Sequence, residues 1–98
     1  MKILLATAPD GPLSRTQEKS SSVWMPHGIL RVATYVERNG FSTDIYDINT
    51  LRGTDEEIKI EFKKTKPDIV GLGGSLTHCY PNIKRISRIL RETFPNVW

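Results

Sequence analysis

The chemistry-bearing stretch of this chain is Gly71-Leu72-Gly73-Gly74-Ser75-Leu76-Thr77-His78-Cys79, which sets three glycines, two hydroxyls, an imidazole and the chain's single cysteine side by side. Glycine has no Cβ to hold a ligand off the backbone, so Gly73 and Gly74 permit close approach of a cofactor, and Ser75 and Thr77 can hydrogen-bond to it. The same glycines also suit a tight strand-to-helix turn, and both readings stand at this level. His78 offers a polar ring to a cofactor edge or to backbone, while an unpaired cysteine such as Cys79 is most often a small buried hydrophobe. With one cysteine and two histidines, His27 and His78, an intrachain disulfide is excluded, and so is a cysteine-rich metal site built from this chain alone. His27 stands at a predicted helix start, where a capping or solvent-facing role is expected.

The surrounding sequence explains how such a loop is delivered. Pro67 forbids a continuing helix, and Ile69, Val70 and Leu72 form a short apolar run of the kind buried in parallel sheets. The glycine-rich loop then lies at the carboxyl end of a strand, the edge where open α/β sheets bind ligands. Pro81 fits the first turn of the helix that follows. Earlier, Lys2–Thr7 reads as a first buried strand that stops at Pro9, Gly11 and Pro12, so Pro9 and Asp10 begin a second loop at the same edge. Residues 8–25 show no periodicity, and Trp24 among the serines is expected to pack beneath this long loop.

Pro26–Asn39 places Ile29, Val32, Ala33 and Val36 at helical spacing and stops before Gly40. Phe41–Ile48 has strand character with acidic residues at Asp44 and Asp47, and is expected near the sheet edge; Asn49 and Gly53 mark a turn. Thr54-Asp55-Glu56-Glu57 has the form of a capping box, predicting a helix to about Lys64 with Ile58 and Phe62 inward. A third helix carries the stripe Ile83, Ile86, Leu90 and Phe94 opposite Lys84, Arg85, Arg88 and Arg91. Val97-Trp98 then reads as the start of another strand. Residues 1–98 therefore predict one α/β domain, a Rossmann-like open parallel sheet with crossover helices, with the Ile69 strand at its centre and the fold broken off after three βα units. An exposed sheet edge in such a piece invites pairing with a second copy.

Fourteen basic and eleven acidic residues leave a net charge of +3, spread over helix faces rather than in a block, which is no nucleic-acid signature. The apolar run at the N-terminus is too short for a signal peptide or a membrane span, so a soluble, cytoplasmic protein is expected.

The run P-H-G-I-L-R-V-A-T-Y-V-E-R-N-G-F-S-T-D-I-Y-D from Pro26 to Asp47, followed by K-P-D-I-V-G-L-G-G-S-L-T from Lys66 to Thr77, resembles the N-terminal cobalamin-binding domain of cobalamin-dependent radical SAM enzymes. The resemblance covers nearly the whole chain. It implies a module that holds cobalamin for a downstream radical SAM domain, with methyl transfer as the parent activity. Pro9, Asp10, Gly73, Gly74, Ser75, Leu76, Thr77 and His78 are the implied cofactor-binding positions, and no catalytic or metal-ligating residue is assigned. The [4Fe–4S] cluster and S-adenosylmethionine would belong to the downstream part, because the C-x-x-x-C-x-x-C cluster motif is not in this sequence.

Methionine-synthase-like modules carry D-x-H-x-x-G after the first strand, whereas this chain reads Ala8-Pro9-Asp10-Gly11-Pro12-Leu13 and has Gly73 where those modules usually have Ser. Cobalamin is therefore expected base-off, without a histidine from the protein. The second reading is the acceptor-side, N-terminal domain of a two-domain Rossmann glycosyltransferase, whose opening the M-K-I-L-L-A-T-A-P run resembles. A receiver domain is disfavoured because Leu72 and Gly73 occupy the place of its phosphoacceptor Asp. Dinucleotide binding is disfavoured by the lack of G-x-G-x-x-G after the first strand.

Overall fold

The computed structural model describes residues 1–13, 25–74 and 77–98. The expectations for Trp24, Ser75 and Leu76 lie outside the described residues. Three strands, β1 (Lys2–Thr7), β2 (Ser42–Tyr46) and β3 (Ile69–Gly73), form a parallel sheet in the order β2-β1-β3. Four helices, α1 (His27–Arg38), α2 (Ile48–Leu51), α3 (Asp55–Thr65) and α4 (Tyr80–Thr93), connect and follow them, giving the open α/β, Rossmann-like architecture expected. A 3₁₀ turn over Thr77–Cys79 leads into α4.

The middle strand of the three is β1, not β3 as the sequence suggested. Leu4, Leu5 and Ala6 are all buried, as a strand covered on both faces requires, whereas β2 carries Ser42 and Asp44 exposed. β2 is the expected edge, and its charged Asp44 is tied to Lys2 at 3.1 Å. The outer side of β3 is also paired: Val70 N–H donates to the Trp98 carbonyl at 2.6 Å, and Trp98 N–H to the Asp68 carbonyl at 3.2 Å. That alternation is the pattern of a parallel ladder, so Val97-Trp98 lie along β3 as the start of a strand would.

Local chemistry accounts for the helix ends. α1 begins after Pro26 and stops at Gly40, whose φ of +89° favours glycine. At the start of α3 the Thr54 hydroxyl accepts from Glu57 N–H at 3.2 Å, Asp55, Glu56 and Glu57 lie at the positive end of the helix, and Lys63 and Lys64 lie at the negative end. The short α2 was not expected. Asp47 accepts from Thr50 N–H at 3.2 Å, so the carboxylate that resembled a strand residue ends β2 and caps a helical turn.

Strand alternation sorts the sheet into two unequal faces. Leu4, Ala6 and Ala8 meet Ile58, Phe62, Ile86, Ile89 and Leu90, so α3 and α4 cover one face and bury the main core. Leu5, Thr7, Gly71 and Gly73 point the other way, where α1 packs and contributes a single buried residue, Ala33. Tyr46 meets the Phe62 ring edge-on at 5.8 Å, and burial, assisted by Glu61 and Glu57, raises its phenol above the ordinary value. Among the described residues no helix is long and apolar enough to cross a membrane.

Candidate functional site

The chain leaves β1 toward α1 on one face of the sheet and leaves β3 toward α4 on the other. Adjacent strands whose connections diverge in this way part at their carboxyl ends and leave a crevice, the ligand edge of open α/β sheets. A cleft of about 440 Å³ opens there, within the range of about 300–1,000 Å³ common to small-molecule sites. Its floor is Thr7 and Ala8 at the end of β1, with Gly73 and Gly74 at the end of β3. Met25, Pro26, His27, Gly28 and Ile29 at the start of α1 form one wall, and Asp47 and Asn49 after β2 form the other.

Of the expected positions, Gly73 and Gly74 line this cleft, and the described residues Pro9, Asp10, Thr77 and His78 do not. Pro9 is fully buried and belongs to the core, so its ring cannot face a ligand. Its carbonyl accepts from the buried Asn82 amide at 3.0 Å, and the Gly11 carbonyl accepts from the same nitrogen at 3.3 Å, which fastens the loop after β1 to α4. Asp10 is committed to Arg52, whose guanidinium meets its carboxylate at 3.0 Å and its carbonyl at 3.3 Å. Thr77 and His78 are exposed, and His78 Nε2 stands 3.9 Å from the second Asp10 oxygen. The loops after β1 and β3 are thus brought together at Asp10 and His78, outside the cleft lining.

Both glycines have neighbours within the chain. A Cβ on Gly73 would stand 3.0 Å from Ile29 Cδ1, so a bare backbone lets α1 close over the end of β3. On Gly74 it would stand 2.7 Å from Cys79 Cβ and 3.2 Å from Ile83 Cδ1, directed into the protein. Gly74 is not among the glycines with positive φ, so the turn there needs no glycine-only backbone angle; the contact with Cys79 is what excludes a side chain. Cys79 itself is 1% exposed, a small buried hydrophobe as expected. Gly74→Ala should therefore cost on the order of 1–3 kcal/mol without any ligand present. A denaturant midpoint unchanged from wild type would refute the packing role, and recovery in a Gly74→Ala/Cys79→Gly double variant would establish it.

Several cleft residues were passed over in the sequence. Thr7 donates its hydroxyl to Asp47 Oδ1 at 2.6 Å and accepts from Asn49 N–H at 3.1 Å, joining the carboxyl ends of β1 and β2. Asn49 Oδ1 accepts from Asp10 N–H at 3.1 Å and from Arg52 at 3.2 Å. Arg52 is 8% exposed and holds a backbone with φ 55° and ψ −161°, a region other residues than glycine rarely enter. Topology was the available signal: in a parallel sheet every helix that follows a strand starts at the carboxyl edge, so His27 and Asp47 had to arrive beside Gly73. Among the described residues no group of three or more His, Cys, Asp or Glu side chains could hold a metal ion. Compared with protein-family models, curated proteins and solved structures, the chain gave no match to any of them.

Proposed function

We propose that this chain is the cobalamin-binding module of a radical SAM enzyme, a methyltransferase, and that it holds the corrin at the carboxyl edge of the sheet for a downstream radical SAM domain. The observation that carries the reading is the cleft between β1 and β3, with Ala8, Gly73 and Gly74 presenting little more than backbone on its floor. A large planar cofactor with a pendant nucleotide needs such an open edge for its ring and a recess for its tail. The residues present fit that requirement, since Gly73 leaves the β3 end of the cleft without a side chain, and one placed there would meet Ile29.

Bound cobalamin would supply a cobalt centre that carries a methyl group. The residues of this chain bind and orient. Ile29 and Met25 offer an apolar wall, Thr7 fixes Asp47, and His27 is the only imidazole on the described cleft lining. Cluster and S-adenosylmethionine chemistry is assigned to the downstream domain, which also is the expected partner.

The test is titration of the 98-residue chain with hydroxocobalamin, followed in the visible spectrum and by equilibrium dialysis. Saturable one-to-one binding with a base-off spectrum supports the proposal. A folded chain that retains no cobalamin overturns it and returns the acceptor-side glycosyltransferase domain to first place.

A further inference from the structure

We infer that Asp47 selects the ligand of the cleft, its second carboxylate oxygen accepting a hydrogen bond from a ribose hydroxyl of a nucleotide-bearing cofactor. The inference rests on the cobalamin reading and assigns the nucleotide end of that cofactor to the β2 side of the cleft.

Asp47 occupies the carboxyl end of the strand next to β1, and it is the one carboxylate among the described lining residues. Its two oxygens have different surroundings. Oδ1 takes the Thr7 hydroxyl at 2.6 Å and Thr50 N–H at 3.2 Å, which locks the group in place. No described residue donates to Oδ2, and that atom is not among the buried polar atoms lacking a partner, so it keeps accessible surface on a residue that lines the cleft. Thr7 cannot turn away to serve a ligand, because its oxygen is also held by Asn49 N–H at 3.1 Å. A fixed carboxylate oxygen in a mainly apolar recess accepts strongly from a neutral donor and repels an anion. A sugar hydroxyl is such a donor, and an acidic group at the end of the strand beside β1 is how dinucleotide-binding sheets hold a ribose hydroxyl. The usual companion of that acid, a glycine-rich phosphate loop after β1, is replaced here by Ala8-Pro9-Asp10-Gly11, so the sugar contact stands without a diphosphate cradle.

The experiment compares binding of hydroxocobalamin with that of cobinamide, which keeps the corrin and lacks the ribose-bearing tail. Wild type should bind hydroxocobalamin more tightly than cobinamide. Asp47→Asn keeps an oxygen for Thr7 and Thr50 and replaces the free oxygen by a donor. It should weaken hydroxocobalamin by about tenfold while leaving cobinamide unchanged, cobinamide binding serving as the control for an intact cleft. Equal weakening of both ligands overturns the inference, since Asp47 then acts only through the shape of the cleft. Wild type that binds the two ligands equally also overturns it and leaves the cobalamin reading standing. Failure of wild type to bind either one removes that reading and the inference together.

Discussion

Phe62→Ala should cost about 3–5 kcal/mol, the usual range for emptying a core aromatic site. The ring is 0% exposed, packs with Leu4, Ile58 and Leu90 in the main core, and makes a T-shaped contact with Tyr46. It joins α3 to the middle strand, so no flexible surface element can collapse into the space it leaves. A domain of this size has a total stability of about 5–15 kcal/mol, so the loss is a large share of the whole. Thermal unfolding followed by circular dichroism should show the midpoint lowered by roughly 12 °C or more, at about 4–8 °C per kcal/mol. A shift of only a few degrees would mean that the α3 face is not the core described here.

Arg52→Ala is the second large effect, expected at about 2–3 kcal/mol. Its side chain is 6% exposed and donates to Asn49 O at 2.6 Å, to Asn49 Oδ1, and to both the carboxylate and the carbonyl of Asp10. The cost is below that of a fully buried pair because the Asp10 side chain is 43% exposed and water can replace part of what it loses. Arg52→Gly should be less damaging than Arg52→Ala by about 1 kcal/mol, since glycine accepts the backbone angles that Arg52 holds under strain. Ordinarily glycine is the worse replacement, so the reversed order in urea unfolding is diagnostic. The usual order would show that the Arg52 backbone is relaxed.

Much of the fold was legible because its signals are local. The apolar run at Lys2–Thr7, the Pro26 and Gly40 boundaries of α1, and the Thr54 cap of α3 each depend on a few neighbouring residues, and each element lies where the sequence placed it. Even the strand character of Val97-Trp98 followed from the Pro95 break before it. What was not legible depends on partners distant in sequence. Asn82 falls on the inward stripe of α4 among isoleucines, and nothing nearby says that its amide is needed by Pro9 and Gly11 some seventy residues earlier. Arg52 lies within the turn that Asn49 and Gly53 mark, and only the meeting of the β1 and β2 loops makes it a buried anchor. The two glycines line the cleft, yet the reason for Gly74 is the Cys79 behind it, a contact that spacing alone does not distinguish from one made to a ligand.

The unequal cover of the sheet has a mechanical consequence. α3 and α4 are anchored by Ile58, Phe62, Ile86, Ile89 and Leu90, whereas α1 has Ala33 as its one buried side chain and leaves Val32 and Tyr35 in solvent. Detaching α1 therefore exposes far less apolar surface than detaching either helix of the opposite face, and sub-global opening begins on its side. Amide hydrogens in the middle of α1 should exchange with solvent before those of α4 under native conditions. Because α1 is also one wall of the cleft, the recess can change its width at low free-energy cost while Thr7, Asp47 and Gly73 keep their positions. The fold joins a rigid floor to a compliant wall, so occupancy of the cleft should slow exchange in α1 more than in any other helix.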